Sequence, residues 1–246
     1  MHGSELVMPN SLKKRYTKWC PQQFATVIAV SKYTKSLISD WGVDAVVVIP
    51  NGYFINAPTG PNTKRSDRLR LITVGNVTQR KGQHNVVNAL PKLVKKFPNL
   101  TYDIVGIPTE KEAVQKLAAQ LNVTDTLVFH GNVSDEEKIR LLQQASIFVM
   151  LSQPTNTGDV EGFGIAILEA NALGLPAIGS RNCGIEDAIS QYKSGILVSY
   201  DNEAEILEAC TRIMEQYDAY AKEAVAWSKR FTWPKVIQHY LKVMEV

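Results

Sequence analysis

From Leu69 onward, short apolar runs alternate with amphipathic stretches of helical length, and this alternation constrains the fold more than any other feature of the chain. The runs fall at 69–75, 100–106, 126–130, 147–151, 176–179 and 195–198. Each is short and apolar, as buried parallel strands are when helices cover both faces of their sheet. Between them the periodicity is helical. After Gly82, the residues Val86, Val87, Leu90, Leu93, Val94 and Phe97 share one face while Lys92, Lys95 and Lys96 lie on the solvent side. Ser134 followed by Glu137 predicts a capping box at the start of another helix. The class is therefore α/β, a parallel sheet with helices on both faces.

About 60 residues of different character precede this region, with apolar runs at 26–30 and 46–49 and a helical segment between them. Ala57-Pro58-Thr59-Gly60-Pro61-Asn62 and the polar residues after them have the composition of a linker. The chain thus divides into a partial domain at 1–60, a linker at 61–68, a sheet domain at 69–228 and a terminal helix at 229–246. With 246 residues and 45% hydrophobic content, it can build one large core or one domain plus part of another. The 27 Lys and Arg nearly balance the 24 Asp and Glu, which argues against nucleic acid as a partner. No apolar run reaches the ~20 residues that span a bilayer, and no signal-peptide core opens the chain. A soluble cytoplasmic protein is expected. The basic segment 12–19 also offers a peripheral contact with the inner membrane surface, although an ordinary exposed helix is the commoner outcome for such a pattern. Cys20, Cys183 and Cys210 are scattered with no metal-ligand spacing, so free thiols are expected.

The stretch Glu161-Gly162-Phe163-Gly164-Ile165-Ala166-Ile167-Leu168-Glu169-Ala170 passes from a glycine turn into a helix after a predicted strand. Glycines let the backbone approach a ligand closely, and the free amides and positive dipole end of the helix then face it. Such a place suits a diphosphate. Seven residues separate Glu161 from Glu169, so one sits in the turn and the other more than a helical turn inside, too far apart to act as a dyad. Each can instead accept hydroxyl hydrogen bonds from a different part of a long ligand, Glu161 from a sugar and Glu169 from a ribose. A lone carboxylate at 169, among Ile167, Leu168, Ala170, Ala172 and Leu173, would be costly without such a role. A second constellation, Gly75 and Asn76 followed by Arg80-Lys81-Gly82, supplies two cations where a strand ends and a helix begins.

Taken together these residues resemble glycosyltransferase family 4, retaining enzymes with the two-domain GT-B fold. The resemblance runs through Ile28-Ala29-Val30-Ser31, Ile49-Pro50-Asn51-Gly52, Val74-Gly75 with Lys81-Gly82, the 161–169 segment, Gly174-Leu175-Pro176, Gly184-Ile185 and Phe231-Thr232-Trp233. It implies a Rossmann-like C-terminal half that binds a UDP- or GDP-linked sugar, with the tail of the acceptor-side half before it and a terminal helix near Trp233 crossing back. Lys81 would then act on the diphosphate, Glu161 with Gly162, Phe163, Gly164 and Ile165 at the transferred sugar and the helix start, Glu169 on the ribose, and Gly131, Asn132 and Val133 at the base. Gly75, Asn76 and Arg80 would complete the donor site, and neither metal nor cofactor would be needed because Lys81 and the helix dipole stabilise the departing diphosphate. The chain departs from the family where Asn76 stands in place of a frequent arginine. The family's acceptor-side His-Gly pair matches His2-Gly3, with no strand ahead to hold it.

The implied reaction is hexosyl transfer with retention to a glycan, lipid-linked or small-molecule acceptor. Glu161, Lys81 and His2 are its catalytic candidates. A nucleotide-sugar-binding or regulatory subunit, completed by a second polypeptide or by self-association, is the alternative. An epimerase or phosphorylase on the same fold is a third reading, and the lack of a cofactor-lysine segment counts against the phosphorylase.

Overall fold

A computed structural model describes residues 1–2, 11–57, 59–60, 68–156 and 158–244. The N-terminal portion holds α1 (Ser11–Trp19), β1 (Val27–Ala29), α2 (Lys32–Ser36) and β2 (Val46–Val48), with β1 and β2 paired in parallel. The remainder runs β3 (Arg70–Val74), α3 (Gln83–Lys96), β4 (Thr101–Val105), α4 (Lys111–Gln120), β5 (Leu127–Gly131), α5 (Asp135–Gln144), β6 (Ile147–Met150), α6 (Ile165–Ala172), β7 (Ala177–Ser180), β8 (Gly195–Val198), α7 (Glu203–Glu215), α8 (Tyr217–Ser228) and α9 (Trp233–Met244).

Strands β3 to β8 form one parallel sheet in the order β5-β4-β3-β6-β7-β8. The order reverses between β3 and β6, and at such a switch point the loops leaving the strand ends diverge and open a crevice. Successive residues of each strand feed opposite cores. Leu71, Ile147 and Val149 pack with α3, α4 and α7, whereas Ile72, Phe148 and Met150 pack with α5 and α6. With both faces covered, strands of four or five residues suffice, because each fully buried Leu, Ile or Phe contributes about 1.5–3 kcal/mol.

The capping box at α5 forms only by half. Ser134 Oγ accepts from the Glu137 amide at 3.2 Å, but the Glu137 carboxylate is drawn to Arg140, whose Nε lies 2.7 Å away. A guanidinium fork outcompetes a single backbone amide for a carboxylate.

Phe231 and Thr232 return the chain to its N-terminal portion, where the Tyr53 amide donates to Phe231 O (3.0 Å) and Gly52 lies flat against the Trp233 ring. No described helix is long and apolar enough to cross a membrane.

Gly82 is a tight joint between α3 and the exit of β6. Its φ is +77°, and a Cβ there would stand 1.8 Å from Leu151 O. Gly82→Ala is expected to cost about 2–4 kcal/mol, combining the left-handed penalty with a forced shift of α3 against β6. Urea unfolding should show this as a lower midpoint with an unchanged slope.

Candidate functional site

At the exit of β3 the chain turns at Gly75, forms a single 3-10 turn over Gln79–Lys81, and enters α3. Thr78 caps that turn by accepting from the Lys81 amide, and the left-handed Gly82 ends it. Two consecutive cations therefore project from a fixed turn. The Lys81 stem lies across Gly75, whose missing side chain leaves room for it: a Cβ there would come within 3.3 Å of Lys81 Cε.

From the exit of β6 the chain runs through 151–164 into α6. Gly164 adopts φ +91° as the N-cap of α6, and Gly162 and Gly184 are packed so closely that a Cβ on Gly184 would stand 1.9 Å from Gly162 O. The Gly184 amide donates to Glu161 O at 2.9 Å. Phe163 turns inward, 2% exposed, and its ring meets Phe231 at 5.9 Å. This residue thus offers a ligand only its backbone.

These two turns meet at one carboxylate. Glu161 Oε2 accepts from Lys81 Nζ at 2.8 Å and also from an Arg80 guanidinium nitrogen, while Arg80 Nε pairs with Asp159 at 2.9 Å. Two cations and two carboxylates form a neutral cluster, with the Lys81 and Glu161 side chains only 16% and 11% exposed. A cleft of about 270 Å³ opens beside it, bordered by His2, Asn51, Arg80, Lys81, Glu161 and the 162–166 turn.

His2 is placed differently from the sequence expectation. The Met1 nitrogen donates to Ile28 O (2.8 Å) and the Val30 amide to Met1 O (3.2 Å), so Met1 runs alongside β1. This pairing carries His2 to the Glu161 turn, where a Cβ on Gly162 would stand 1.7 Å from His2 O. The Gly3 that completes the His-Gly pair, like linker residues 61–67, lies outside the described residues.

The structure thus gathers His2, Arg80, Lys81, Glu161, Gly162, Phe163, Gly164 and Ile165 around one cleft. Asn76 is exposed beside Gly75, and Gly131 ends β5 with Asn132 and Val133 following it, two strands farther along the same edge of the sheet. Glu169 lies on α6 facing α5, where Lys138 Nζ approaches at 3.7 Å and is itself held by Asp135 at 2.9 Å. Burial raises the Glu169 carboxyl above the usual glutamate range, and Lys138 only partly offsets this. For Lys138, burial acts to lower the pKa, but the bonds to Asp135 and Glu169 outweigh it and the ammonium is favoured.

Lys138 escaped the sequence reading, and Asn51 and Asp159 entered it only within longer segments, not as site residues. Asn51 reaches the cleft and Asp159 reaches Arg80 through loops whose path no periodicity encodes, and Lys138 resembles any exposed helical lysine. All three cysteines are free thiols; burial pushes Cys183 up to about 11 and Cys210 to about 12, so neither is a nucleophile at neutral pH.

A raised carboxyl in the folded state favours folding only while it is protonated. Its contribution is present below the unfolded pKa and is lost as the pH rises through the folded value, so at neutral pH the ionised Glu169 is a cost. Glu169→Gln is therefore expected to raise Tm at about pH 7.5 by about 2–4 °C, the shift that ~1 kcal/mol gives in a chain of this size. The gain should vanish below about pH 4, where glutamate is protonated in both states. Calorimetric scans at the two pH values check it; an equal gain at both would remove the carboxylate's charge as the cause.

Residues 59–230 match the family described as glycosyl transferases group 1. A GDP-mannose-dependent alpha-(1-6)-phosphatidylinositol monomannoside mannosyltransferase of Mycolicibacterium smegmatis is 30% identical over 70% of this chain and 48% of its own length. A putative colanic acid biosynthesis glycosyltransferase of Escherichia coli K12 is 29% identical, over 75% of this chain and 43% of its own. The chain spans about half the length of the curated relatives it matches. Among solved structures, Anabaena HepE, crystallised with UDP and glucose, superposes on 98% of this chain and 70% of its own with a TM-score of 0.81 at 20% identity. Sucrose-phosphate synthase from Thermosynechococcus elongatus gives 0.80 at 19% identity, over 99% of this chain and 66% of that one. At these identities the likeness is one of fold.

Proposed function

The chain belongs to the glycosyl transferases group 1, and from that premise we propose that its cleft binds a nucleoside-diphosphate sugar and supports transfer of the sugar with retention. The observation that carries this reading is the convergence of Arg80 and Lys81 on Glu161 at the glycine turn that starts α6. Two cations and the amides of a helix N-terminus suit a diphosphate, and a displaced Glu161 becomes an acceptor for sugar hydroxyls. Half-buried Glu169 suits a ribose diol, with the base toward Gly131, Asn132 and Val133.

In this reading the bond between the anomeric carbon and the diphosphate oxygen breaks while the acceptor hydroxyl attacks the same face. The acceptor's proton passes to the departing phosphate oxygen. Arg80, Lys81 and the α6 dipole stabilise the charge that develops on the leaving group, so the reaction as proposed calls on no metal. His2, against Gly162, would border the transferred sugar. Residues 1–60 would belong to the acceptor side and 69–228 to the donor side.

The relatives point to two donors: the mycobacterial protein is named for GDP-mannose, and HepE was solved with UDP. Titration calorimetry with UDP, GDP and their glucose, galactose, mannose and N-acetylglucosamine conjugates should give a Kd in the micromolar range for one base. Absence of binding across the panel would remove the basis of the proposal. Tight binding with no transfer to mixed glycan and lipid-linked acceptors would favour the nucleotide-sugar-binding subunit.

A further inference from the structure

A cluster outside the cleft has no part in the chemistry above, yet it is bonded to one end of the site. Asp103, in the middle of β4, has a side chain only 1% exposed. Arg70 grips it twice, Nε to Oδ2 at 2.5 Å and Nη2 to Oδ1 at 3.0 Å, and Gln144 of α5 accepts from Arg70 Nη1 at 3.0 Å. His130 Nε2 meets the same Asp103 Oδ1 at 2.6 Å. An aliphatic residue in this strand would pack without the desolvation cost of a buried ion pair, so charge here weakens the case for a purely stabilising role.

The cluster holds a bulge. Ile104 pairs with Phe129 but Val105 pairs with Gly131, so His130 is the extra residue of β5. Bulges bend a strand and re-aim the segment that leaves it. Here the Gly106 amide donates to Gly131 O at 2.8 Å, Gly131 turns at φ +70°, and Ser134 starts α5 three residues later. Helix α5 carries Lys138, which faces Glu169. One linkage thus runs from Asp103 through His130 and the 131–133 turn to the charged pair on α5 and α6, and the diphosphate cations, which leave the end of β3, are not bonded into it.

We propose that His130 is a positioning residue for the nucleoside end of the donor: by hydrogen bonding to Asp103 it sets the 131–133 turn, and with it the frame in which base and ribose are read. The inference rests on the donor reading given above. Its ligand class is the nucleoside part of a nucleoside diphosphate, and inorganic pyrophosphate supplies the complementary probe.

The test compares the full chain with His130→Ala and His130→Gln, whose amide can donate to Asp103 in place of the imidazole. Binding of UDP, GDP and pyrophosphate is measured by calorimetry, with amide hydrogen exchange at 131–133. In the alanine variant the preferred nucleotide should bind at least tenfold more weakly and the ratio of UDP to GDP affinity should shrink. Pyrophosphate should stay within twofold, exchange at 131–133 should accelerate, and glutamine should restore most of the loss. Equal weakening of nucleotide and pyrophosphate, or no change in either while the parent chain binds nucleotide, overturns the positioning role. An alanine variant too unstable to assay leaves the glutamine variant to decide: unchanged discrimination and exchange support the hydrogen bond, and a collapse of both overturns it. A parent chain that binds pyrophosphate but neither nucleotide overturns the donor reading itself.

Discussion

Replacing Lys81 by alanine is expected to weaken nucleoside-diphosphate binding by about 10- to 100-fold and to lower kcat/KM for the sugar donor by about 10²–10³-fold. Lys81 Nζ sits 2.8 Å from Glu161 Oε2 with its side chain 16% exposed, so its charge acts in a partly desolvated place. A charge-assisted hydrogen bond to phosphate there contributes about 1.5–3 kcal/mol to binding, and more in a transition state where the leaving oxygen gains charge. The fold should survive, because Glu161 keeps Arg80 as a partner. Lys81→Arg should not restore activity, since the lysine stem lies against Gly75 and a planar fork cannot follow that path to the same point. Calorimetry with the preferred diphosphate and steady-state kinetics check both numbers. A change below threefold in each would remove Lys81 from the diphosphate site.

Glu161→Gln should move binding and turnover in opposite directions. Glu161 occupies both cations, so a diphosphate that uses them must displace it. Without that carboxylate, Arg80 and Lys81 face the ligand while Asp159 still balances Arg80, and free UDP or GDP should bind about 5- to 10-fold more tightly. Transfer should nevertheless fall by about 10²-fold or more, because the amide offers one uncharged accepting oxygen where the carboxylate offers two charged ones. The gain in affinity should shrink with added salt as screening weakens the exposed part of the interaction. Weaker diphosphate binding together with unchanged turnover would contradict both the competition and the sugar-side role.

The two predictions depend on different strengths of sequence signal. The sheet was legible because burial on both faces demands apolar runs, and the six runs from Leu69 onward became the six strands within a residue or two. The glycine turn into α6 was legible from its two glycines, whereas the aliphatic neighbours of Glu169 marked it as a carboxylate out of place without showing that Lys138 stands opposite it. The Asp103 cluster was not legible, since a single aspartate inside an apolar run carries no mark of the arginine 33 positions before it or the histidine 27 after it. Nor was the pairing of Met1 along β1, because two residues are too few to show any period.

What the amino-acid sequence determined by itself is local: where strands and helices lie, which residues cap them, and where glycine permits a left-handed turn. Periodicity and steric freedom are properties of neighbouring residues, so they can be read without knowing the rest of the chain. Only the tertiary structure decided that Arg80 and Lys81 meet Glu161 across 80 positions of chain, that Lys138 stands opposite Glu169, and that His2 closes on Gly162. Those meetings arise from the reversal of strand order between β3 and β6, which brings loops distant in sequence to one crevice. Charges are then set by burial and by the partners they find there, and neither exists until the sheet has closed around them.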